Sequence, residues 1–157
     1  MTSLTFNAAS HDDTRRLGML LGEHLSVGAN IGLIGTLGAG KTHLLKAVAT
    51  ACGVPADEVV SPTFVLCREY HGNRDLFHID AYRIADDDEF LQLGPEEWFD
   101  ADALTFVEWS DRVAACMPPD RLDIRITVRD GDARTFELLP LGQDCEAAVA
   151  VIAQKMR

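Results

Sequence analysis

No hydrophobic run in this 157-residue sequence reaches the roughly 18 residues that a membrane-spanning helix needs. The opening Met1-Thr2-Ser3-Leu4-Thr5-Phe6 has neither a basic stretch nor a signal-like apolar core. The expectation is a soluble, cytoplasmic protein. C-x-x-C pairs are also missing: Cys52, Cys67, Cys116 and Cys145 read as free thiols in that setting. Cys67, His71 and His78 match no zinc spacing and lack a fourth ligand. Positive charge is scarce, with 14 Lys and Arg against 25 Asp and Glu, a net charge of −11. No Lys or Arg falls between Ala85 and Ser110, where Asp86, Asp87, Asp88, Glu89, Glu96, Glu97, Asp100, Asp102 and Glu108 accumulate. A protein that grips nucleic acid alone needs a basic face to release counterions, and none is visible here. The acidic stretch is either a solvated helix and loop or a docking surface for a basic partner. Internal repeats, low-complexity tracts and linkers are absent, so the chain reads as one domain, 1–157.

Against these absences stands Gly35-Thr36-Leu37-Gly38-Ala39-Gly40-Lys41-Thr42, a complete G-x-x-x-x-G-K-T phosphate-binding loop. Glycines let the backbone curl so that successive N–H groups face a phosphate that side chains would obstruct. Lys41 is placed for the β- and γ-phosphate oxygens, and the Thr42 hydroxyl for Mg²⁺. Buried-looking Ala29–Ile34 precedes the loop, while Leu44, Leu45, Val48 and Ala49 follow at helical spacing to a stop at Cys52-Gly53. Strand, glycine loop and helix put the phosphates at a helix N-terminus.

Elsewhere Leu4-Thr5-Phe6 reads as an edge strand. Ser10 to Asp13 resembles a capping box ahead of a helix faced by Leu17, Leu20, Leu21 and Leu25 and ended by Val27-Gly28. Phe64–Tyr70, a turn at His71–Arg74, and Asp75–Asp80 read as paired strands. Residues 86–93 read as a helix and Ala103–Glu108 as a buried strand. Leu122–Val128 alternates, Asp130-Gly131 turns, Arg134–Leu138 returns, and Gln143–Gln154 closes the chain as a helix.

Phosphoryl chemistry also needs an acidic group near the metal or the attacking atom, commonly at the end of an apolar strand. Asp80 and Glu108 meet that description, the alternative being solvated strand ends or, for Asp80, a pair with Arg83. Ser61-Pro62-Thr63 is a stiffened loop whose Thr63 suits a switch position, or an ordinary turn. Trp109 is a core aromatic or a residue stacked near the site. D-x-x-G and N-K-x-D are both absent, which argues against a GTPase. A small-molecule kinase would need clustered arginines, yet Arg121, Arg125 and Arg129 alternate along one strand as on a solvent face. A nucleotide-gated, non-catalytic interaction module is the third alternative.

The ordered set Leu37–Thr42, Ser61–Phe64, His78-Ile79-Asp80-Ala81-Tyr82-Arg83, Leu93–Phe99 and Val107-Glu108-Trp109 resembles the TsaE (YjeE) family, small ATPases of bacterial tRNA threonylcarbamoyladenosine synthesis, over residues 4–140. The resemblance implies an α/β fold, a P-loop NTPase-like three-layer sandwich with a mixed, mainly parallel sheet. It implies ATP and Mg²⁺ as cofactors, with TsaB and TsaD as partners that bring the tRNA. Catalysis would fall to Lys41, Asp80 and Glu108, and the metal to Thr42 and Glu108. ATP would be bound by Ser10, His11, Gly35, Gly38, Ala39, Gly40, Lys41, Thr42, His43 and Arg134, with Thr63 and Trp109 as switch or accessory residues. Two positions depart from the family pattern: Thr36 replaces an acidic residue and His43 a threonine. No arginine finger is evident beyond the candidates Arg68 and Arg83, so a slow intrinsic ATPase stimulated by its partners is expected.

Overall fold

Hydrophobic alternation sorts the strand residues onto two faces of one seven-stranded sheet. The computed structural model describes residues 3–35, 40–60 and 66–156. In chain order the strands are β1 (Leu4–Ala8), β2 (Asn30–Gly35), β3 (Cys67–Tyr70), β4 (Asp75–Asp80), β5 (Ala103–Glu108), β6 (Arg121–Val128) and β7 (Arg134–Leu141). Their order across the sheet is β1-β7-β6-β2-β5-β4-β3. The central pairings β6·β2, β2·β5 and β5·β4 are parallel, while β3, β7 and β1 join antiparallel to their neighbours. The sheet is therefore mixed, with most strands pointing one way.

Ile31, Leu33, Leu104, Phe106, Leu122, Ile124 and Phe136 form one core with Leu17 and Leu21 of α1 (His11–His24), Leu44, Leu45 and Val48 of α2 (Lys41–Ala51), and Val149 and Ile152 of the last helix. The opposite face carries Ile79 and Val107 against Phe90 of α3 (Asp87–Gln92), Val113 of a 3-10 helix (Ser110–Cys116) and Met117, with Trp98 and Phe99 of α4 (Glu96–Phe99) at its border. The last helix, α5, spans Gln143–Lys155. Helices on both faces explain why β5 is buried at every position, as a sheet covered on two sides requires. This is the expected three-layer α/β architecture.

Local signals account for most boundaries. Ser10 caps α1 by accepting from the Asp13 N–H at 3.3 Å, and the Asp13 carboxylate accepts from the Ala9 N–H at 2.9 Å. Helix α1 stops at His24, one turn before Gly28 takes its φ of 80°. Gly18 and Gly22 are buried against α2. Asp86 caps α3 through the Glu89 N–H, and Asp87, Asp88 and Glu89 stay exposed.

Some expectations needed revision. Within Phe64–Tyr70 the described strand is only Cys67–Tyr70, since residues 61–65 lie outside the described residues. Strand β7 continues past Leu138 to Leu141, through Pro140. Among the described residues, pairing with β1 ends at Leu138, and Pro140 lies opposite Leu122 of β6. Arg121 does not face solvent: its guanidinium donates to Asp123 Oδ1 at 3.0 Å and to the Pro118 carbonyl at 3.0 Å. No described helix is long and apolar enough to cross a membrane.

Candidate active site

Parallel strands end together, and in open α/β sheets ligands collect outside those carboxyl ends. Here β2, β4 and β5 deliver Gly35, Asp80 and Glu108 to one rim. Register aligns Asp80 with Glu108, and Glu108 with Leu33, two residues before Gly35. Gly40 precedes α2 with φ of 95°, a left-handed conformation that favours glycine. That turn brings Lys41 back over the sheet rim, where its Nζ donates to the Gly35 carbonyl at 3.0 Å.

Lys41 is buried. Burial pushes its ammonium below the ordinary lysine range, against the opposing pull of Glu108, Asp80 and Asp111. Asp80 is half-buried and its carboxyl is raised, first by desolvation; the Tyr82 N–H bond at 2.8 Å opposes the rise and Glu108 adds to it. Glu108 is 4% exposed. Burying carboxylates at one rim is costly without cations. Lys41 supplies one positive charge; a divalent cation would offset the remaining negative charge of Asp80, Glu108 and Asp111, and Thr42 and Glu108 are the residues that would hold it. A phosphate fits the same place, because Lys41 projects from the first turn of a helix.

Trp109 follows Glu108 with φ of 61°, the only positive value among described non-glycine residues. Such a conformation costs about 1–3 kcal/mol and concentrates at functional sites. Its N–H donates to the Leu33 carbonyl at 3.0 Å. The indole lies under the Lys41 ammonium, 3.9 Å from ring centroid to Nζ, and 5.0 Å from the Tyr82 ring. Arg112 completes the stack over Tyr82, 5.6 Å from the ring centre, and donates to the Tyr82 carbonyl. Trp109 is thus half-buried, packed against the second core on one side and beneath Lys41 on the other.

A second cluster adjoins the start of α2. The rings of His11 and His43 stand 4.2 Å apart, and His11 Nε2 is 3.2 Å from Asp132 of the β6–β7 turn. Burial and the neighbouring His11 push the His43 imidazole below its usual range. Arg134 binds back to the carbonyls of Gly131 and Ala133, with its Nε 3.6 Å from where a Cβ on Gly40 would stand. Asn7, Ala8, Ala9, Arg129, Ala133, Arg134 and Thr135 line an adjoining cleft of about 290 Å³.

The structure therefore brings Lys41, Asp80, Glu108 and Trp109 together, with Gly35, Gly40 and half-buried Thr42 beside them, and groups His11, His43 and Arg134 at the flank. Ser10 is engaged as a helix cap. Gly38, Ala39 and Thr63 lie outside the described residues. Sequence reading overlooked Tyr82 and Arg112, which only spatial stacking reveals, and Asp132, whose role depends on a contact across more than a hundred positions. It also gave no role to His78, a histidine in an otherwise apolar strand segment, which was the available signal.

The family described as "Threonylcarbamoyl adenosine biosynthesis protein TsaE" matches residues 8–136. The tRNA threonylcarbamoyladenosine biosynthesis protein TsaE of Treponema pallidum is 37% identical over 76% of this chain and 87% of its own length. The Bacillus subtilis protein of the same name is 32% identical over 93% and 91%. The crystal structure of YdiB from Bacillus subtilis superposes with a TM-score of 0.83 at 25% identity, covering 99% of this chain and 97% of that one. Both the sequence matches and the shared fold lead to one conclusion: this chain belongs to the TsaE family.

Proposed function

We propose that this chain is a single-domain cytoplasmic P-loop ATPase that binds and slowly hydrolyses Mg-ATP in support of a TsaB–TsaD complex during threonylcarbamoylation of tRNA adenosine (t6A at position 37). The observation that carries the reading is the convergence of Lys41 with Asp80 and Glu108 at the ends of parallel strands. In this reading Lys41 leaves the Gly35 carbonyl to neutralise the β- and γ-phosphate oxygens. Gly35, Gly38, Ala39 and Gly40 supply the backbone cradle, and Thr42 and Glu108 hold Mg²⁺. When bound, Mg²⁺ neutralises charge developing on the phosphate oxygens. Asp80, the carboxyl with raised proton affinity, orients the attacking water and takes its proton. Ser10, His11, His43 and Arg134 flank the adenosine end, while Thr63 and Trp109 respond to the γ-phosphate.

Family membership supports the tRNA-modification role, and the net charge of −11 suits an ATPase that leaves tRNA binding to its partners. The kinase alternative loses ground, because Arg121, Arg125 and Arg129 are engaged by Asp123, Glu137 and Thr135 respectively.

The test is ATP hydrolysis by wild type and Lys41→Ala, alone and with TsaB, TsaD and substrate tRNA. Slow, Lys41-dependent turnover that rises in the complex is expected. Tight ATP binding without any stimulation would replace this reading with a nucleotide-gated interaction module.

A further inference from the structure

His78 is fully buried, at 0% exposure, in a strand position where a leucine or isoleucine would complete the core. A buried imidazole without partners is destabilising, so its presence calls for a compensating role. Strand alternation places His78 on the same sheet face as Asp80, and the parallel register sets it diagonal to Glu108. Its Nε2 lies 3.2 Å from Glu108 Oε2, off the line of a well-formed hydrogen bond, and neither ring nitrogen has another partner among the described residues.

We infer that His78 is a positioning residue: its Nε2–H holds the inner oxygen of Glu108, so that the outer oxygen is turned toward the nucleotide-bound metal. The proposal rests on the role given to Glu108 above. Glu108 is also held by its neighbours: its carbonyl accepts from the Ala81 N–H at 3.0 Å, and β5 leaves the sheet immediately after it. The main chain is therefore fixed, and the carboxylate plane is the remaining freedom. His78 is the one described side chain within ion-pair distance of that carboxylate. Groups that orient a metal ligand in this way change metal affinity or activity by about 10–100-fold when removed.

Three variants test this: His78→Leu, which fills the volume without a donor; His78→Gln, whose amide places a donor near the former Nε2 position; and Glu108→Gln. Thermal unfolding without nucleotide, Mg²⁺ titration of ATP binding, and turnover are measured on each. His78→Leu is expected to stay near wild-type stability, because removal of the unpartnered Nδ1 offsets the lost Nε2 contact with Glu108. The same variant is expected to need about 10–100-fold more Mg²⁺ for half-saturation, and His78→Gln to recover part of that loss. Stability retained with metal response lost separates positioning from a structural role. An unchanged Mg²⁺ midpoint in His78→Leu overturns the inference, as does an equal drop in stability and metal response that His78→Gln fails to rescue.

Imidazole ¹⁵N NMR of the nucleotide-free protein gives an independent reading. A proton on His78 Nε2 whose resonance shifts in Glu108→Gln is expected, and an unprotonated Nε2 or an unshifted resonance overturns the inference. That spectrum decides the matter even if wild type hydrolyses no ATP, a result that would instead refute the proposed function.

Discussion

Helix α1 rests on α2 through two glycines, and Gly18→Ala should be harmful where Gly→Ala in a helix usually helps. A Cβ at Gly18 would stand 2.5 Å from Ala47 Cβ and 2.8 Å from the Leu44 carbonyl oxygen. Comfortable carbon contacts lie at about 3.5–4.0 Å, so the helices must separate by about 1 Å. Neither obstacle is the end of a flexible side chain. Overpacking of this kind costs about 1–3 kcal/mol, against a propensity gain of about 1 kcal/mol. The difference is a net loss of about 0–2 kcal/mol, toward the upper end because both obstacles are rigid, which lowers Tm by up to about 8 °C in a chain of this length. Differential scanning calorimetry and urea unfolding measure it. Ala47→Gly in the same molecule moves the methyl across the interface and should recover part of the loss, with the Leu44 carbonyl still in the way. Because α2 carries Lys41 and Thr42, the single variant should also bind nucleotide more weakly. A Tm at or above wild type for Gly18→Ala would refute the reasoning.

Further expectations concern the cap, the rim and the thiols. Ser10→Ala removes the acceptor for the Asp13 N–H and should lower unfolding free energy by about 1 kcal/mol, readable by urea titration. Asp80 has a folded-state pKa raised above its unfolded value, so in the window between the two the native state binds more protons than the unfolded state. Its contribution to stability therefore falls as pH climbs through that window, and Asp80→Asn should flatten the stability profile just above the ordinary carboxylate range. Burial pushes the thiols of Cys67 and Cys145 up to about 11 and raises Cys52 and Cys116 as well. All four are free and should react slowly with a disulfide reagent at neutral pH, then rapidly in denaturant.

What the sequence disclosed and what it hid divide by range. Strands β4 and β5 run Asp75–Asp80 and Ala103–Glu108 as their apolar runs indicate, and Ser10 caps α1 through bonds within four residues. The helix α4 spans only four residues, too few to establish a 3.6-residue period. The 3-10 helix after Trp109 is similarly short and is kinked at Val113. At the site, the phosphate loop is contiguous and declares itself. The His11–His43 stack and the approach of Arg134 to Gly40 join residues far apart in the chain, which only the packing of α1 on α2 and the β7 position decide. Trp109 was ambiguous because its left-handed backbone, which aims the indole at Lys41, leaves no mark on composition.

The pairing of β1 with β7 sets the order in which this molecule can be completed. Leu4 finds its partner in Leu138, roughly 130 positions later, and β1 has no other strand neighbour among the described residues. As the chain is synthesised, β1 waits unpaired while β2, β4 and β5 can already assemble the Lys41–Glu108 rim. Contacts of such high sequence separation form slowly, and unpaired edges invite association. The flank formed by His11, Asp132 and Arg134 is therefore the last part of the candidate site to close. A nascent chain halted before β7 would carry a phosphate loop but not the wall beside it.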